Sequence, residues 1–73
     1  MTVNDLQSSE KGRIIAIQED SLTLKLLEMG FIPGELVEIE HRTWQSDPIA
    51  VRISGYLIGL RREEASLIEV ERI

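Results

Sequence analysis

From Val37 to Val70 the apolar residues of this chain fall at every second position, in short runs broken by glycine, proline and polar turns. Val37 and Ile39 alternate with Glu38 and Glu40. Ile49, Val51 and Ile53 flank Arg52, and Tyr56, Ile58 and Leu60 alternate with Leu57, Gly59 and Arg61. Ile68 and Val70 close the series between Glu69 and Glu71. A period of two sends successive side chains to opposite faces, so each run is a strand with one dry and one wet face. Asp47-Pro48 and Ser54-Gly55 supply the reversals between them. Arg62-Glu-Glu-Ala65 consists of helix formers in a space too short for more than a turn.

The first half of the chain adds one more strand and one helix. Gly12 opens Arg13-Ile-Ile-Ala-Ile17, a continuous β-branched run expected to be buried on both faces. The period then changes: Leu22, Leu26 and Met29 share a helical stripe, and Asp20 or Ser21 can accept the first free N–H groups. Gly30 suits the left-handed end of this helix of about three turns, and Pro33-Gly34 turns the chain. Residues 1–11 read as a polar lead-in, pinned in part by Leu6.

The fold expected is mainly β: a small, partly open SH3-like barrel of five to six strands, with one helix between the first two. Curling five short strands into a barrel removes sticky edges. A chain of 73 residues has one core and one domain, residues 1–73.

Composition narrows the function. There is no cysteine, so disulfides, thiolate metal sites and thiol nucleophiles are excluded, and the single histidine excludes a multi-histidine site. Glu38 and Glu40 share one face of their strand while His41 points to the other, so these three form no metal site. No nucleophile is paired with a base, and Gly30–Gly34 lacks the Lys and Ser/Thr of a phosphate loop. The chain is therefore expected to be no enzyme and to carry no cofactor. The start of the chain lacks a basic, then apolar, export signal, and no apolar run approaches the ~20 residues of a membrane span. A cytoplasmic protein with no direct membrane insertion is the expectation.

The net charge of −5 argues against a general nucleic-acid binder. It is unevenly spread: residues 1–40 hold 8 acidic and 3 basic groups, whereas residues 42–62 hold four arginines against Asp47 alone until Glu63 begins the next acidic pair. Arg42, Trp44, Tyr56, Arg61 and Arg62 are the candidate partner-binding residues. Trp44, beside a polar turn, suits an interface anchor or a cap over the barrel end equally well. Tyr56 is expected to pack with its hydroxyl at the surface. Arg61-Arg62-Glu63-Glu64 can form local ion pairs or dock an acidic partner.

Together, Gly12-Arg-Ile, Leu26-Leu-Glu-Met-Gly-Phe-Ile-Pro-Gly34, Asp47-Pro48, Gly55-Tyr56 and Leu60-Arg-Arg-Glu-Glu-Ala65 resemble the FeoA family of bacterial ferrous iron transport. The resemblance covers about Gly12 to Val70. It gives Gly12, Leu26, Met29, Gly30, Phe31, Pro33, Gly34, Asp47, Pro48 and Gly55 a structural role. It implies an SH3-like barrel without catalytic activity, working with FeoB, the membrane permease with a cytosolic GTP-binding region. The same barrel occurs in DtxR-type iron-dependent repressors, so the alternative is a regulatory module of a transcriptional regulator or another interaction adaptor. Weak self-association is left open. Where the family often has a basic run early in the helix, this chain has Thr23 and Leu24 and keeps only Lys25.

Overall fold

The computed structural model of the chain describes residues 1–43, 45 and 47–73; Trp44 therefore lies outside the described residues. Strand β1 (Lys11–Ile17) leads to helix α1 (Thr23–Glu28), followed by β2 (Leu36–His41), β3 (Ile49–Ile53) and β4 (Tyr56–Leu60). A second short helix, α2 (Arg62–Ala65), precedes β5 (Ile68–Arg72). The strands form one antiparallel sheet in the order β4-β3-β2-β1-β5. Each alternating run of the sequence becomes a strand. The dry faces meet in a core of Ile14, Val37, Ile39, Ile49, Val51, Ile53, Leu60, Ile68 and Val70, closed by Leu26 and Phe31.

The glycine-proline segment after α1 explains its own residues. The Phe31 N–H donates to Leu26 O (3.1 Å) and the Gly30 N–H to Leu27 O (3.0 Å), while Gly30 sits at φ +104°. This is the doubly bonded helix end that requires a left-handed residue at its last position. The same geometry sets Leu26 and Phe31 side by side, and both are fully buried. Ile32-Pro33-Gly34-Glu35 then turns, with the Glu35 N–H on Ile32 O and Gly34 at φ +98°, as a turn with proline first and glycine second demands. Bonds from Gly34 N to Ile14 O (2.8 Å) and from Ile14 N to Glu35 O (2.9 Å) stitch this turn to β1.

Gly12 answers a different need. A Cβ there would lie 3.0 Å from Val70 Cβ and 3.3 Å from Leu6 Cδ1, so only glycine lets β5 and the N-terminal segment close on β1.

Four expectations are corrected. β1 is not buried on both faces: Gly12 and Ile14 are buried, but Ile15 is 54% exposed because the β1–β5 register shifts between Ile14 and Ala16 and leaves it in a bulge. α1 is shorter than three turns. Residues 18–22 are held in a turn instead, where Asp20 N–H donates to Thr23 Oγ1 (2.9 Å), Thr23 Oγ1–H to Gln18 O (2.6 Å) and Leu22 N–H to the Asp20 carboxylate (3.1 Å). Tight reversals are expected between the middle strands. β3 and β4 are joined by one, with Ser54 at φ +50° and Gly55 at φ +83°, but β2 ends at His41 and β3 begins only at Ile49, too far along the chain for a two-residue hairpin. The N-terminal lead-in is part of the core: Val3 and Leu6 are fully buried around a 3₁₀ turn, Val3–Asp5, and Thr2 bridges to Glu69.

Candidate partner interface

Arg61 and Arg62 stand where β4 passes into α2, and that junction is held from three directions. The Asp47 carboxylate accepts the Arg62 N–H at 2.9 Å, satisfying one of the free donors at the start of α2. Glu64 Oε1 accepts the Arg61 N–H at 2.9 Å, and Glu64 Oε2 lies 2.6 Å from Lys25 Nζ. Glu64 is only 4% exposed. The Lys25 hydrogen bond holds its carboxyl below the usual glutamate range, with the Arg61 N–H and the Lys25 and Arg61 charges acting the same way against the opposing effect of burial. Asp47-Pro48, joined by a cis peptide bond, and Leu60–Ala65 are thus one device that fixes the α2 turn on the loop before β3.

Asn4 joins this end of the molecule, its side-chain amide donating to Arg62 O at 2.9 Å. Arg42 reaches the same N-terminal segment: its guanidinium donates to Asn4 O (3.1 Å) and Leu6 O (2.9 Å), and its backbone N–H donates to Ser8 Oγ (2.9 Å). The structure thus brings Arg42, Arg61 and Arg62 to one end, through Asn4, but commits the Arg42 guanidinium to backbone carbonyls. Arg13 bonds to Gly34 O, Arg52 pairs with Glu40 at 3.0 Å and Arg72 with Glu10 at 3.3 Å. Arg61 is exposed, and its charge acts on Glu64 without a side-chain hydrogen bond or ion pair to any described residue.

Tyr56 lies at the other end of β4 from Arg61, about 17 Å away at strand spacing. It is 71% exposed rather than packed, standing at the turn end of β4 beside the Ser54-Gly55 reversal, whereas Leu60 at the other end of the strand is buried. The four described candidates, Arg42, Tyr56, Arg61 and Arg62, therefore do not converge on one patch. His41 is exposed at the end of β2, and among the described residues no three His, Cys, Asp or Glu side chains group so as to hold a metal ion. The best-formed depression, lined by Lys11, Leu36, Val37, Glu38, Arg52 and Ser54, measures about 180 Å³. That is below the roughly 300 Å³ at which small-molecule pockets begin. No helix of the described residues is long and apolar enough to cross a membrane.

Two features escaped sequence reasoning. The Lys25–Glu64 pair joins positions 39 apart in sequence, which no local pattern reveals. Exposed Leu57 had a weak signal, since β4 alternates apolar with apolar rather than with charge until Arg61.

Five antiparallel strands with a helix inserted between the first two define a small SH3-like β domain that offers edges and loops rather than a cleft. The FeoA domain profile matches residues 1–72, and the chain belongs to the FeoA family. It is 34% identical, over its whole length, to part of a Porphyromonas gingivalis protein named Fe(2+) transport protein A/Fe(2+) transporter FeoB fusion protein, and spans 9% of that fusion's length. The solution structure of iron(II) transport protein A from Clostridium thermocellum superposes with TM-score 0.90 at 39% identity, over 100% of this chain and 46% of that one. FeoA from Stenotrophomonas maltophilia, a prokaryotic SH3 domain protein crystallised with zinc, gives TM-score 0.88 at 25% identity, over 97% of this chain and 89% of that one.

Proposed function

We propose that this chain is a non-catalytic accessory protein of ferrous iron uptake that works in the cytoplasm and binds the cytosolic GTP-binding region of a FeoB-type permease. The observation that carries this reading is the fusion, in which a segment matching the whole chain is covalently part of a protein also named as the transporter. A covalent link makes the second contact intramolecular, so a weak module works there at high effective concentration. A free-standing chain must supply that contact by its own surface, and the Arg61 end is the best-prepared described surface for an acidic counterpart. Such a module acts on its partner by binding one of the partner's states more tightly than another.

The test is a pull-down of the permease's soluble cytosolic region with this chain, run beside gel retardation of DNA and RNA at low salt. Capture of the permease region without retardation is expected. Retardation without capture overturns the reading in favour of a regulator of transcription or translation built on the same barrel.

A further inference from the structure

We propose that the open edge of β4 is a self-association surface, on which a second copy of this chain lays its own β4 antiparallel about a two-fold axis at Ile58. The two edges of the sheet differ. At β5 the chain covers itself, since Thr2 bridges Glu69 and the Val70 N–H donates to Met1 O at 2.9 Å. At β4 nothing among the described residues does so. The two-residue reversal makes Ile53 and Tyr56 a hydrogen-bonded pair, and the alternation of an antiparallel ladder then bonds Val51 with Ile58 and Ile49 with Leu60. The N–H and C=O groups of Leu57 and Gly59 consequently point away from β3, and among the described residues they have no backbone partner.

Sheet edges are usually blunted by charge, proline or a covering segment. Tyr56-Leu-Ile-Gly-Leu60 has none of these, and its Tyr56 and Leu57 are 71% and 56% exposed. The occupant is argued from the strand's own pattern. About an axis at Ile58, Leu57 of one copy faces Gly59 of the other twice over, so both outward-pointing residues form hydrogen-bonded pairs. Gly59 leaves room for the facing Leu57, and the position its Cβ would take is 3.5 Å from exposed Pro48 Cγ, which gives that leucine an apolar floor. Charge also permits the pairing although each copy carries −5. The strand itself is neutral, and in this register the two Arg61 residues stand about 20 Å apart, well beyond the ~8 Å screening length of physiological salt. A five-residue edge buries less than the ~1,000 Å² of a stable interface, so the association is a weak one, seen only at high concentration.

Amide spectra and sedimentation between about 20 µM and 1 mM test this. The expected result is a concentration-dependent shift of the Leu57 and Gly59 amides together with movement toward dimer. Leu57→Lys places two ammonium groups within a screening length of each other at an exposed site. It should weaken association at least about tenfold with the circular dichroism spectrum retained. If that variant loses its fold, the shift map of the unaltered chain decides alone. Sedimentation as a monomer throughout with unmoved Leu57 and Gly59 amides overturns the proposal. So does a dimer whose shifts lie elsewhere, or protection of these two amides only on adding a different protein.

Discussion

Lys25 on α1 and Glu64 on α2 meet at 2.6 Å, an ion pair that links the two helices through residues 39 positions apart in sequence. Glu64 is buried and also accepts the Arg61 N–H, so removing Lys25 leaves a desolvated carboxylate with one partner fewer. Lys25→Met should cost about 1–2 kcal/mol in urea unfolding at pH 7, the lower range reflecting the exposed lysine.

The same pair sets a pH dependence. The folded-state pKa of Glu64 is depressed, so its contribution is present above the ordinary glutamate pKa and is lost as pH falls through the folded value. The stability difference between the unaltered chain and Lys25→Met should therefore shrink in acid, below about pH 4.3. Urea midpoints measured across pH 3–7 check this; a gap that stays constant or widens in acid contradicts the assignment.

Asp47 caps α2 from the far side of the loop before β3. Asp47→Ala should destabilise by about 1 kcal/mol, or about 4–8 °C in melting midpoint for a domain of this size, with Asp47→Asn milder. Differential scanning calorimetry distinguishes the three proteins.

Glycine substitutions separate steric need from backbone need. Gly12→Ala should cost about 1–3 kcal/mol because the new Cβ meets Val70 and Leu6. In Gly30→Val the new Cβ meets no atom within 4 Å, yet the φ of +104° should cost about 1–3 kcal/mol through backbone strain. Gly59→Ala, in ordinary contact with Pro48, should leave the monomer's melting midpoint within about 2 °C of its original value.

These residues also mark what the sequence made legible. Alternation located β2, β3 and β5, because each has one covered face and period two records coverage directly, and it located β4 although only Leu60 of that strand is fully buried. Gly30 and Phe31 were readable because a helix end obeys local rules. β1 misled because Ile15 continues the apolar run while occupying a bulge, which only its pairing with β5 reveals. The N-terminal segment contributes just Val3 and Leu6, too few for a period, although both are fully buried. Arg42 looked like a docking cation in a basic stretch. Its carbonyl partners, Asn4 and Leu6, lie 38 and 36 positions away, beyond any motif.

The central claim is contact with the permease, and calorimetric titration of its cytosolic GTP-binding region into this chain tests it most directly. At about 0.15 M salt the account predicts saturable binding that Arg61→Glu weakens by about fivefold or more while the melting midpoint holds, as a docking charge demands. A flat titration up to about 0.5 mM, or binding that Arg61→Glu leaves unchanged, contradicts it.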